Sequence, residues 1–443
     1  MLPDVALLEI FHLYVGASIR PWYTLVHVCR KWRNVVFWSP KRLNLRLYCT
    51  ERTPVRKTID VWPPLPILVR CFGHSTQGKV REDNLAALAE HNDRIQELDL
   101  SYFRVSSMNK LLAAMHQPFP ALTDLKIFYS GETVRVVPAS FLGGSAPQLQ
   151  TLRLYGIPFP GLPKLLLSAT HLVQLELQDI PHSGYFSPEA MITALKMLTS
   201  LERLVIEFAS PRSRPDQKTR RPPLPTHTLL PALKYLWFHG VSEYLDDLVA
   251  RIDAPLLGKL KISFFHQLIY GTPQLTQFIN RTPTFKAYDK ARVRFFNSRV
   301  SVTTIDRALE LEISCRQPDW QLSSLAQLCS SGFIPTVEHL YIDHEPSYLL
   351  SQGDIESSQW LEVLHPLTAV KEFYISQEAT PHIARTLEEL VGGRVTEVLP
   401  ALQTLFLEEE LLSRPVYESI GKFVAARELA GHPIAVSHWI RYY

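Results

Sequence analysis

Along most of the chain the apolar positions fall into one recurring template, apolar-x-x-apolar-x-apolar. It stands at "IQELDL" (Ile95), "LTDLKI" (Leu122), "LQTLRL" (Leu149), "LVQLEL" (Leu172), "LERLVI" (Leu201), "LKYLWF" (Leu233) and "LGKLKI" (Leu257). It returns at "VEHLYI" (Val337), "VKEFYI" (Val370) and "LQTLFL" (Leu402). The first seven starts lie 27, 27, 23, 29, 32 and 24 residues apart, and the last three lie 33 and 32 apart. Weaker copies stand at "WPPLPI" (Trp62), "YDKARV" (Tyr288) and "ALELEI" (Ala308). Positions four and six point inward while three and five are mostly polar, the two-residue period of a short strand with one buried face. Segments with helical spacing separate the copies, such as "EDNLAALAEH" and "SMNKLLAAMHQ". One strand and one helix cannot bury their own apolar faces, whereas stacked neighbours can. The expected fold is therefore α/β, a curved solenoid with a parallel sheet on its inner face. A doubly wound domain fits less well, because its strands read as continuous apolar runs.

The first forty residues follow a different period. In "LPDVALLEIFHLYVG", Pro3 and Asp4 suit a helix start, Leu7, Leu8, Phe11 and Tyr14 share a face, and Gly16 can stop the helix. In "WYTLVHVCRKWRNVVFWSP", Trp22, Leu25, Val26, Cys29, Trp32 and Val36 make one apolar stripe, which predicts a single helix ended at Ser39 and Pro40. That stripe places Cys29 in a core, where a desolvated thiol is inert. Arg30, Lys31 and Arg33 occupy other faces and read as solvated charges rather than a nucleic-acid grip. So small a helical head is expected to complete its core against the solenoid or against another protein.

"LPDVALLEIF" followed by "TLVHVCRKWRNVVFWSP" resembles the F-box motif, with its opening Leu-Pro and its Val-Cys-x-x-Trp core. The continuation "KRLNLRLYCTERTPVRKTIDVWPPLPILV" looks like a fungal F-box protein, in which the motif leads into leucine-rich repeats. The repeats here are degenerate, since none of the first seven copies has the Asn or Cys that ordinary leucine-rich repeats carry at position nine. The resemblance implies an F-box domain over residues 1–45 and a degenerate leucine-rich-repeat solenoid over 46–443. It further implies a substrate-recognition adaptor of an SCF-type cullin ubiquitin ligase, with no catalytic residues and no cofactor of its own. Its partners would be the small acidic linker subunit, the cullin and a protein substrate. By matching positions, Leu2, Pro3, Leu7, Leu8, Ile10, Leu25, Val28 and Trp32 are the docking candidates, some of which must instead build the domain's core. The competing reading is a repeat scaffold for protein interactions with no role in ubiquitination.

Composition adjusts this picture modestly. The chain has 443 residues and a formal net charge of +3, too near neutral to argue for nucleic acid. Residues 1–70 carry eleven Lys/Arg against four Asp/Glu, so the head is basic and suits an acidic partner. Five widely spaced cysteines with no CxxC pair suit reduced thiols and a cytoplasmic or nuclear address. The N-terminus lacks a basic signal-peptide region, and no apolar run is long enough for a membrane span. No metal, phosphate-loop or nucleophile-elbow motif occurs. Residues 210–225, "SPRSRPDQKTRRPPLP", read as a flexible insertion, and "YESIGKFVAARELAGHPIAVSHW" as a helix stopped at Gly431 plus a last capping strand. The polar strand positions then give the substrate-facing candidates Tyr155, Tyr235, Trp237, His239, Lys259, Lys261, Tyr341 and Tyr374, with Arg153, His339 and Phe406 beside them. Large aromatics on a polar concave face are the usual anchors of protein interfaces.

Overall fold

The computed structural model describes residues 2–17, 23–38, 45–49, 54–62, 66–72, 82–101, 105–131, 135–215, 227–265, 272–285, 288–315, 318–330, 336–344, 357–390, 392–408 and 413–440. Trp22, Ser39 and Pro40, and residues 216–225 of the expected insertion, lie outside the described residues. The chain divides into two units: Met1–Arg212 with Thr228–Ala232, and Ser213–His227 with Leu233–Tyr443.

The first unit opens with helices Asp4–Ala17, Tyr23–Val26 and Arg30–Trp38. Leu7, Leu8, Phe11, Leu25, Val26, Val35 and Val36 bury together as a small core, and Tyr14, Trp32, Phe37 and Trp62 pack against it. Trp62 follows the next helix, Val55–Val61, so the head core borrows a side chain from the segment leading into the repeats. Phe11 and Trp32 meet with ring centroids 4.7 Å apart. The Lys31 ammonium lies 3.2 Å from Asp4 and donates to the Leu2 carbonyl at 2.9 Å, tying the third helix to the first turn of the first.

The head differs from its expected form at one point. The single helix foreseen through Cys29 is broken: Val26 ends one helix, and Arg30 begins the next. Cys29 is exposed, and its Sγ accepts from the Trp32 N–H at 3.4 Å, the position of a helix N-cap. The break swings Val28 into solvent as well. The apolar stripe thus runs across two helices whose registers are offset by the turn.

Seven strands follow in chain order, each parallel to the next: Leu45–Cys49, Ile67–Phe72, Ile95–Ser101, Asp124–Phe128, Thr151–Tyr155, Gln174–Ile180 and Arg203–Phe208. The template copies from Ile95 to Leu201 each run into one of these strands. Position-four and position-six leucines such as Leu125, Leu152 and Leu175 are fully buried, each stabilising by about 1.5–3 kcal/mol through lost apolar surface. The turn after Thr151–Tyr155 uses Gly156 at φ 68°, where an added Cβ would run into the Tyr129 carbonyl.

Among the described residues nine strands of the second unit share one sheet, in the spatial order Tyr235–Gly240, Lys259–Phe264, Leu309–Ser314, Arg299–Thr304, Lys290–Phe296, His339–His344, Glu372–Ile375, Thr404–Glu408 and Ala435–Trp439. The last is the foreseen capping strand, reached through helix Arg414–Leu429 and Gly431 at φ 79°. The weak copies at Tyr288 and Ala308 are real strands, but the chain visits them in inverted spatial order. Arg299–Thr304 runs antiparallel to both neighbours, so the sheet is mostly, not wholly, parallel. Asn297 and Ser298 form the tight turn that folds Lys290–Phe296 back onto it.

Helices link successive repeats. The buried Asp246 carboxylate, from helix Ser242–Val249, accepts from the backbone N–H groups of Gln274 and Leu275 at 2.9 and 3.0 Å. It therefore caps the next helix, Pro273–Arg281, with a charge that suits the positive helix end. Arg427 is buried in the final helix and donates to the carbonyls of Val395 and Leu402 at 3.3 and 3.2 Å.

Candidate functional site

Register turns the polar strand positions into ordered rows. In the second unit, the pairs Trp237↔Lys261, Lys261↔Glu310, Glu310↔Thr303, Thr303↔Arg292 and Arg292↔Tyr341 are successive neighbours. Tyr341↔Tyr374, Tyr374↔Phe406 and Phe406↔Ser437 complete a single row across nine strands. Side chains contact one another at several of its steps. Lys261 lies over the Trp237 ring at 5.3 Å and pairs with Glu310 at 3.2 Å. Arg292 lies over Tyr341 at 5.4 Å. Tyr341 stacks on Tyr374 at 4.2 Å, and Tyr374 on Phe406 at 4.3 Å. Trp439 sets its edge against Tyr341 and Tyr374 at 5.9 and 5.7 Å, its indole N–H donating to the Ile375 carbonyl.

This aromatic ladder has a hydrogen-bonded foot. The Glu372 carboxylate accepts from the Tyr374 hydroxyl at 2.7 Å and meets His339 Nδ1 at 2.6 Å. The Tyr374 hydroxyl first, and His339 second, hold the Glu372 carboxyl below its usual range. Burial and the same carboxylate push the Tyr374 phenol up. Tyr341 and Tyr374 are therefore locked rings rather than free side chains, which lowers the entropy lost when a partner packs on them.

Of the substrate-facing candidates, Trp237, Lys261, Tyr341 and Tyr374 join this row. Tyr235 pairs with Lys259 one step nearer the strand starts, and both are half-buried. His239 pairs with Ser263 and sets its ring 4.5 Å from Phe265, where burial lowers its pKa. Tyr155 stands in the first unit, stacked on Phe128 at 4.3 Å. The corresponding row there is charged: Arg70, Asp99, Lys126, Arg153 and Glu176 follow one another in register. Arg292, Arg294, Arg299 and Trp439 went unread in the sequence. The signal for the arginines was present, since "RVRFFNSRVSV" is two alternating runs around a two-residue turn.

At the N-terminus the docking candidates separate into two sets. Leu7, Leu8 and Leu25 are buried in the head core, whereas Leu2, Pro3, Ile10 and Val28 are exposed and Trp32 is half-buried. Val5, Leu13 and Trp38 are also exposed, Trp38 by 83%. At 100° per residue, Val5, Ile10 and Leu13 fall on the side of the first helix opposite Leu7, Leu8 and Phe11. Among the described residues no group of three or more His, Cys, Asp or Glu could hold a metal, and no helix is long and apolar enough to cross a membrane.

No family model matches the chain, and no curated protein matches it. Among solved structures it is similar to a chain in the "Crystal structure of Rad7 and Elc1 complex in yeast", at 12% identity, over 93% of this chain and 91% of that one, with a TM-score of 0.30. A likeness of that size supports no inference about fold or function.

Proposed function

We propose that the chain is the substrate-recognition adaptor of an SCF-type cullin ubiquitin ligase. Its N-terminal helices would dock on the acidic linker subunit, and its sheet face would hold a protein substrate. One observation carries the reading: a three-helix head, its core closed with the help of Trp62, leaves Leu2, Val5, Ile10, Leu13, Val28 and Trp38 exposed. Apolar side chains in that density on so small a head mark an interaction surface. The resemblance of the same residues to the F-box motif names the kind of partner. Leu7, Leu8 and Leu25 act in this proposal only as the core that shapes the surface, while Leu2, Pro3, Ile10 and Val28 make contact and Trp32 borders it. The rigid aromatic row is the matching feature for a substrate, and the chain performs no chemistry of its own.

The test is co-purification of the full chain with linker subunit and cullin. Ile10→Asp with Leu13→Asp changes only exposed positions, so the fold should survive, as thermal melting would show, while linker capture is lost. Tyr235→Ala with Trp237→Ala should do the reverse, losing substrate and keeping the linker. Wild-type chain that captures no linker subunit would leave the plain interaction scaffold as the reading.

A further inference from the structure

The antiparallel strand inserted into the second unit has a chemical consequence on the same face as the aromatic row. A cavity of 390 Å³ opens there, and its walls carry Lys261, Arg292, Arg294, Arg299 and Arg307. Two carboxylates share the walls, Glu310 and Glu312. A third, Asp343, lies fully buried beneath, 3.2 Å from Arg292 and 3.9 Å from Arg294. Lys261 pairs with Glu310 at 3.2 Å and Arg299 with Glu312 at 3.3 Å. Among the described residues five cations and two carboxylates line the concavity, with Asp343 buried behind Arg292 and Arg294 and Asp306 at the Thr304 hydroxyl, so it stays net positive.

The guanidiniums are also held in place. The Arg299 guanidinium lies over the Phe296 ring at 4.1 Å, with Arg294 at 6.0 Å from the same ring. Arg292 rests on Tyr341 and on the buried carboxylate. Fixed, planar donors of this kind match oxyanions with two or more acceptor oxygens. Thr303 and Thr304 complete the same wall, the Thr304 hydroxyl donating to Asp306 at 2.8 Å.

We infer that this cavity is a binding site for a phosphate-monoester dianion. The charge excess is what selects it. A carboxylate or a phosphodiester brings one negative charge and only two free acceptor oxygens, and so meets fewer of these donors. A phosphate monoester brings about −1.5 to −2 at neutral pH and three strong acceptor oxygens. The ligand is either a phosphorylated side chain of a protein or a small phosphate ester, since both present the same group. The inference does not depend on the ubiquitin-ligase reading, because it concerns the chain alone.

The test uses the full chain without partners, in titration calorimetry at fixed ionic strength. The probes are inorganic phosphate, a phosphoserine peptide, its unphosphorylated counterpart, acetate and a single-stranded oligonucleotide. The expected result is binding of phosphate and of the phosphoserine peptide, with acetate and the serine peptide at least tenfold weaker. Lowering the pH from 7.5 to 5.5 should weaken phosphoserine binding as the dianion takes up a proton and becomes a monoanion. Arg299→Gln with Arg307→Gln should weaken it at least tenfold, and Arg307→Gln alone, on an exposed turn, serves if the pair does not fold. A phosphopeptide that binds more than tenfold tighter than inorganic phosphate identifies a protein-borne group, and equal binding a small ester. The inference fails if chloride at matched ionic strength does as well, if the variants bind normally, or if the oligonucleotide outcompetes both phosphate probes.

Discussion

Cys29 shows how far a single residue can depart from the period it sits in. Its spacing from Val26 and Trp32 is helical, yet no side chain at positions 27 or 28 could signal that the helix stops there. The Cys29 sulfur instead takes the Trp32 N–H and caps the helix that begins at Arg30. The other four cysteines are buried. Burial pushes the Cys329 thiol up to about 12 and raises Cys71 and Cys315 as well. Under native conditions a thiol reagent should therefore modify one cysteine, Cys29. The others should react at least ~100-fold more slowly, since their labelling waits on opening of the fold. Mass mapping of the first modified peptide checks this, and label on Cys315 or Cys329 at early times would contradict the structure.

Elements were legible where one residue type repeated at one spacing. All ten clear template copies became strands, because a period of two with a buried face allows little else. The strand Leu45–Cys49 carries no template and was hidden, whereas Arg299–Thr304 shows its alternation without the leading leucine. The row of contacts was hidden for another reason: Trp439 and Phe406 lie far from Arg292 in sequence, and only register brings them into line. The closing helix Arg414–Leu429 was legible, but not its anchor. Among the described residues Arg427 has no carboxylate partner in its hydrogen-bond set and instead holds three backbone carbonyls, those of Val395, Pro400 and Leu402. Arg427→Met keeps the length and removes the donors, leaving those carbonyls buried and unmatched. It should destabilise the second unit by about 2–4 kcal/mol, read from the midpoint of a denaturant titration.

At the scale of the molecule, two histidines of the second unit give it a pH dependence. Burial lowers the pKa of His239; burial first, and Arg385 second, lower that of His382. Below the ordinary value near 6.5 the unfolded chain thus binds protons that the folded unit refuses, so stability rises with pH through that window. The melting temperature of the second unit should fall as pH drops from 7.5 toward 5.5, and His239→Gln with His382→Gln should flatten the slope. An unchanged slope in the double variant would show that other groups govern it.

The inverted strand order also sets a folding problem that the rest of the chain avoids. A stack of consecutive strands can grow by adding each new repeat to the last, with short sequence separations throughout. Lys259–Phe264 must instead wait for Leu309–Ser314, some fifty residues later, while Lys290–Phe296 closes locally on Arg299–Thr304. The hairpin is thus the natural local nucleus of the second unit, and its docking against Lys259–Phe264 closes a long loop. Repeats elsewhere can be added or removed as modules. Residues 259–314 form one cooperative block, and cutting inside it would leave two strands without the neighbours they need.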